Sequence, residues 1–390
     1  MEIAFLAQGR VFGVGADGRP QELESPFVRA VRERALRQER AQGWKNERQG
    51  GLLSGAALWG GGAGLDDATR VVARGLCAGA RPGELLYALD TGRVAGAFRL
   101  AIETGEELRL FHANQLRVRD LAAEPEGARI ACSLLNRDGS ADLAIVGEAG
   151  PMPRAVTSGD SVDAAPCWIP KRHALVFQSA GIGRDSAGSA VELGPATLEE
   201  LELESGELAT RASDPRFDFL APRFGPDGLL HALRRPYRPR SGGSAWRRLA
   251  DLSLVPLRLV QAVYGWLDFF SMRYGGRRLS TTGGAAARGE ADLRQLVIHG
   301  NTIDAERAAR RGRLRGEDAP ALVPRSWELV RWEDAEGEPR VLARHALAFD
   351  VARDGSLLVS NGSAIDRLGP DGRSERVCRA PGIEQVAALR

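Results

Sequence analysis

Asp160 and Asp163 in TSGDSVDAAP, Asp218 in PRFDFLAP, and the adjacent Arg234 and Arg235 in HALRRPY are the residues of this sequence best placed to do polar chemistry. Each falls at the edge of an extended apolar run, where a carboxylate can accept from loop amides or meet a ligand, and a guanidinium can clamp an anion. Nothing beside them completes a catalytic set. There is no GxSxG nucleophile turn. The histidines, His112, His173, His231, His299 and His345, are dispersed without HExxH or paired spacing, so each reads as a strand or turn residue rather than a metal ligand. Cys77, Cys132, Cys167 and Cys378 are equally scattered in apolar surroundings and read as buried thiols of a reducing compartment. No cofactor motif is present.

Charge narrows the partners. Lys+Arg of 53 against Asp+Glu of 51 leaves a net charge of +2 over 390 residues, which gives no general field for nucleic acid. Lys45 and Lys171 are the only lysines, and together with the Ala and Gly content this suggests a GC-rich, bacterial coding sequence. The start, MEIAFLAQGRVFG, lacks a basic region and its apolar stretch breaks at Gln8, so a cytoplasmic location is expected.

The elements that must position those residues repeat. Ala165 to Ser179 reads APCWIPKRHALVFQS, and Ala221 to Arg235 reads APRFGPDGLLHALRR; LAAEPEGARIACS from Leu121 and AFDVARDGSLLVS from Ala348 follow the same plan. Each is an extended run, a turn rich in Pro, Asp or Gly, and a run alternating apolar and small polar residues, which is a β-hairpin. Two further strand candidates follow each hairpin. Four short antiparallel strands recurring about every 40 to 50 residues form the pattern of a propeller blade. Blades are expected near residues 70–113, 116–158, 161–212, 217–344 and 346–382. A last one would be assembled from IAFLAQ, RVFGVGADG and PQELES at the start and EQVAALR at the end, which closes the ring without an open edge.

The pattern APxWxPxxxxLVFQS, its sibling APRFGPDGLL and the following LELESGEL hairpin resemble the repeat of the TolB-like six-bladed β-propeller family. The resemblance implies an all-β, six-bladed propeller over most of the chain, with the terminal blade closed by N- and C-terminal strands. It implies a protein-binding or scaffold role more than an enzymatic one, and a protein partner at the channel mouth, for which Asp160, Asp163, Asp218, Arg234 and Arg235 are the candidates. Lys171 and Arg172 depart from the Asp-Gly of the repeat turn. The competing reading is a metal-dependent, lactonase-like hydrolase using the central channel. Asn136, Asp163, Asp218 and Asp350 stand near inner strands for it, but their spacing selects no ligand set.

Two insertions interrupt a single 1–390 propeller domain. Residues 25–69 comprise a surface helix, begun by Ser25 and Pro26 and ended by Gly43, and a Gly-rich loop holding Trp44 and Trp59. The Gly pattern lacks the strand and helix that a phosphate-cradling loop needs. Residues 239–325 lie within the fifth blade and contain DLSLVPLRLVQAVYGWLDFFSMRYGG, residues 251–276. On a helix its polar residues share one arc, and Leu254, Leu257, Val260, Tyr264, Trp266, Leu267, Phe269 and Phe270 form the apolar face. Arg258 and Asp268 argue against a membrane span. The face can lie on the propeller itself, in a protein partner, or in a membrane interface.

Overall fold

The computed structural model describes residues 1–31, 71–238 and 318–389 apart from scattered single positions, with a few more residues within 33–37, 296–303 and 310–316. Segment 251–276, expected as a helix, together with Trp44 and Trp59, lies outside the described residues. The described chain is mostly strand.

The strands follow in chain order. The first three are β1 (Ile3–Ala7), β2 (Arg10–Val14) and β3 (Pro20–Glu22). A four-stranded meander follows: β4 (Val72–Ala78), β5 (Glu84–Asp90), β6 (Val94–Ala101) and β7 (Glu106–Asn114). The next comprises β8 (Val118–Ala123), β9 (Ile130–Leu135), β10 (Ala141–Gly147) and β11 (Gly150–Ala155). Then come β12 (Ser161–Trp168), β13 (Ala174–Arg184), β14 (Ala190–Leu193), β15 (Thr197–Glu202) and β16 (Leu208–Ala212). A single parallel pairing of Ala141 with Val162 joins these last two groups into one curled sheet. β17 (Phe217–Phe224) and β18 (Leu230–Pro236) precede a short separate hairpin of β19 (Leu296–Ile298) and β20 (Asn301–Ile303). β18 then pairs with β21 (Glu328–Arg331), His231 opposite Arg331, and β22 (Arg340–Arg344) completes that sheet. Last are β23 (Ala348–Val351), β24 (Leu357–Ser360), β25 (Ala364–Leu368), β26 (Ser374–Arg379) and β27 (Ile383–Ala388).

β27 leaves the sheet that precedes it and pairs antiparallel with β1, Ile3 opposite Ala388 and Phe5 opposite Val386. The ends therefore meet as the repeat requires, and the sheet order is β27-β1-β2-β3. The inner strands touch one another in the order β4, β8, β12, β17, β23, β27, and β27 touches β4. The row closes on itself, as the blades of a β-propeller do.

Side-chain burial follows from this arrangement. Separate apolar cores fill the seams between neighbouring sheets rather than one common centre. Leu6 and Val11 meet Leu85, Tyr87 and Phe98 at one seam, and Leu220, Leu233 and Leu329 meet Phe349 and Leu357 at another. Small residues such as Ala88, Ala131, Ala174 and Ala232 are fully buried where the sheets converge, whereas every residue of the outer strand β16 is exposed or half-exposed. Residues 26–31 are helical, and the Ser25 hydroxyl caps the Val28 N–H. Ser25 and Tyr87 both donate to Glu107, and Phe27 packs on Phe98, so this helix start is fastened to β5, β6 and β7.

Within a meander the chain reverses at each strand. The link from second to third strand and the link from the fourth strand to the next sheet therefore lie on one face. The β3-to-β4 link, residues 23–71, and the β18-to-β21 link, residues 237–327, both belong to this class. The contacts agree. The β1–β2 turn meets the start of β4, with Ala73 N–H donating to Gly9 O, and the Tyr237 hydroxyl donates to Leu193 O at the end of β14. Among the described residues no helix is long and apolar enough to cross a membrane.

Candidate functional site at the propeller axis

The repeated Ala-Pro of the sequence is a bulge. In β12 the register with β13 shifts between Ala164 and Cys167, and in β17 the register with β18 shifts between Leu220 and Arg223. Ala165 and Ala221 adopt the left-handed conformation, φ 50° in both, which costs an L-residue about 1–2 kcal/mol. Their N–H groups are therefore turned out of the ladder. Asp120 Oδ2 takes the first at 3.2 Å and Gln178 Oε1 takes the second at 2.9 Å, each reaching across from the preceding sheet. A buried amide left without an acceptor would cost about 1–3 kcal/mol, so these contacts stabilise the bulge.

The same device recurs around the axis. The Cys77 thiol on β4 lies against the backbone of Ala123 on β8, and the Cys167 thiol on β12 against that of Phe224 on β17. Arg223 on β17 pairs with Asp350 on β23, Nε to Oδ1 at 3.5 Å. Asp350 Oδ2 accepts from Ala388 N–H on β27 at 2.8 Å, and Gln385 Oε1 on β27 accepts from Leu76 N–H on β4 at 2.9 Å. Every seam is thus crossed by an inner-strand side chain reaching its neighbour in the same rotational sense. Gln385 also donates to Asp120 at 3.2 Å, and Arg119 lies 3.6 Å from the same carboxylate.

Burial dominates the electrostatics here. It raises the Asp350 carboxyl above the usual carboxylate range, with Arg223 opposing the shift. It pushes the Cys77 thiol up to about 12 and raises Cys167 as well, so both are thiols, not thiolates, at neutral pH. The expectation of apolar surroundings holds for Cys132 and Cys378, which are buried, but not for Cys77 and Cys167, which stand beside Arg223 and Asp350. All four cysteines are free.

The five residues expected at the channel mouth lie at the start of β12, the start of β17 and the end of β18, on the face carrying the two long links. Among them Asp218 and Arg235 contact one another, at 2.8 Å, and Arg235 also stacks over Trp327. Asp218 accepts the Ala196 N–H besides, and Asp163 accepts the Ser179 hydroxyl at 2.7 Å. Asp163, Asp218 and Arg235 are 4, 5 and 5% exposed and spend their polar atoms inside the fold. Arg234 binds Glu328 at 2.6 Å. Asp160 is exposed and, together with Asp138, holds Arg184. Asn136 donates to Ser140 and Asp142 in a turn. Among the described residues no three His, Cys, Asp or Glu side chains converge as a metal site.

Sequence reasoning passed over Cys167 and Arg223 as site residues, yet the signal was available. They occupy the same place in the repeat, immediately after Ala-Pro in APCW and APRF, where the bulge turns the side chain toward the next inner strand. Arg119, Asp120 and Gln385 carry no such mark.

No known family profile and no curated protein matches the sequence. Solved structures do resemble the fold. A chain of the nidogen/laminin complex matches at 8% identity with a TM-score of 0.51, covering 100% of this chain and 98% of that one. A gluconolactonase of Xanthomonas campestris matches at 13% identity and a TM-score of 0.41, over 81% of each chain. TolB of Acinetobacter baumannii matches at 14% identity and a TM-score of 0.32, over 85% of this chain and 69% of that one. At such identities the likeness concerns fold alone. With the closed row of inner strands and the Ala-Pro repeat, the chain has a β-propeller fold.

Proposed function

We propose that the chain is a six-bladed propeller acting as a protein-interaction module, its partner docking on the face from which the two long links leave. The observation that carries this reading is their common face. The 23–71 and 237–327 links both leave and rejoin the strands on one side of the ring, and the apolar segment 251–276 belongs to the second. A large apolar helix face fixed to a rigid scaffold is a recurrent mode of partner capture. The axis supports the same reading, because Asp120, Asp350 and Gln385 are engaged in joining neighbouring sheets. Reduced thiols at four positions fit a cytoplasmic setting.

The test is a pull-down from the source lysate with the intact chain and with a chain lacking residues 251–276, alongside metal analysis of the purified protein. A protein retained by the intact chain and lost from the shortened one supports the module. Stoichiometric Ca²⁺ or Zn²⁺ with lactone-hydrolysing activity would overturn it in favour of a lactonase-like hydrolase.

A further inference from the structure

We propose that the propeller axis holds a carboxylate-binding site between Arg119 and Arg223. The inference stands apart from the docking role and concerns the hydrogen-bond balance of the groups around the axis.

A guanidinium carries five N–H donors. Arg223 uses Nη1 on the carbonyl of Pro222 at 2.8 Å and directs Nε toward Asp350 at 3.5 Å. Arg119 directs Nε toward Asp120 at 3.6 Å. Among the described residues neither guanidinium makes a further hydrogen bond. Charge-assisted N–H···O contacts normally close to about 2.7–2.9 Å, so both pairs are loose. The acceptors, in contrast, are committed. Asp350 Oδ2 holds Ala388 N–H, while Asp120 holds Ala165 N–H through Oδ2 and Gln385 through Oδ1. The axis has more open donors than open acceptors.

Access is consistent with a ligand. The Arg119 and Arg223 side chains are 17% and 24% exposed, although both arise from inner strands, and Cys77 and Cys167 beside Arg223 are half-buried rather than sealed. The charge count selects the ligand class. Two guanidiniums and two carboxylates already balance, so a dianion would be repelled by Asp120 and Asp350. A singly charged planar oxyanion, which matches the guanidinium fork, meets less opposition. A carboxylate answers both requirements. It can come from a small organic acid or from the end of a polypeptide threaded into the axis.

The test uses the full chain and saturation-transfer NMR, with acetate as the small probe and two short peptides of identical sequence, one ending in a free carboxylate and one amidated. Chloride at equal ionic strength is the control. Acetate should show transfer at millimolar concentration, and Arg223→Gln, checked by circular dichroism for an intact sheet signature, should weaken it more than tenfold. Cys167→Met narrows the same space without removing a charge and should also weaken it, which covers the case in which the arginine variant does not fold. Tighter binding of the carboxylate-ended peptide than of either its amidated form or acetate would assign the site to a chain terminus. Acetate binding alone would assign it to a free acid. Absence of transfer with the unmodified chain, or equal transfer with Cys167→Met, overturns the proposal.

Discussion

Arg223 and Asp350 face each other at 3.5 Å across the seam between β17 and β23, and Asp350 simultaneously holds the Ala388 amide of the strand that closes the ring. One carboxylate thus links three inner strands. Asp350→Ala should strand the guanidinium and the amide together. Loss of one partner of a buried pair costs about 3–5 kcal/mol, and the partial exposure of this one places the expectation near the lower figure. Urea unfolding of the full chain measures it; a loss below about 1 kcal/mol would show that the pair does not tie the strands.

The left-handed alanines give a sharper contrast. Ala165→Gly and Ala221→Gly should change stability by less than about 1 kcal/mol, since relieved strain offsets added chain entropy. Ala165→Val and Ala221→Val should each cost about 2 kcal/mol or more, because a branched side chain is poorly accommodated at positive φ. Thermal midpoints of the four variants decide it, and equal effects of Gly and Val would contradict the backbone assignment.

Gln178→Ala removes only the acceptor of the Ala221 amide, 43 residues away in sequence. A cost of about 1–3 kcal/mol is expected. In the Ala221→Gly background the amide remains unpaired, so the loss should persist rather than vanish, and a double-mutant cycle reads this directly.

The buried thiols make stability fall in alkali. Cys77 and Cys132 are pushed up to about 12 and Cys378 to about 11, from 9.0. An unfolded thiol ionises above pH 9 while the folded one stays neutral. The contribution of each group is therefore complete below pH 9 and is lost as pH rises toward 11 or 12, by about 1.4 kcal/mol per unit. Cys132→Ala should reduce the slope of the urea midpoint between pH 9 and 10.5. An unchanged slope would mean that Cys132 does not contribute. In the native protein at pH 8 the thiols should react with alkylating reagents far more slowly than in guanidinium.

Much of the architecture was legible because it rests on local signals. Turn residues between alternating runs mark the hairpins, and three strands at the start with one at the end imply the join of β1 with β27. The seam contacts were not legible. Gln178 and Ala221, or Gln385 and Leu76, are neighbours only because successive sheets are rotated about an axis, and no spacing along the chain encodes that. The acidic residues misled for the same reason. Asp163 and Asp218 sit where sequence suggests the edge of an inner strand at the channel mouth, but neighbouring segments supply a hydroxyl, an amide or a guanidinium that draws them inward. The turn that lacks Asp-Gly shows a different limit: Lys171 itself takes φ 60°, the conformation a glycine usually supplies. The extension of β13 with β14 was hidden because the Gly and Ser around it resemble an unstructured connection.

The pairing of Ile3 with Ala388 also sets how the ring answers a mechanical load. Because β1 and β27 run antiparallel, tension applied between residues 3 and 388 pulls at one end of their ladder and opens its hydrogen bonds one after another, like a zip, instead of shearing them together. The join that closes the circle is therefore weak against a pull in that direction, and a tethered molecule should open there first, at low force.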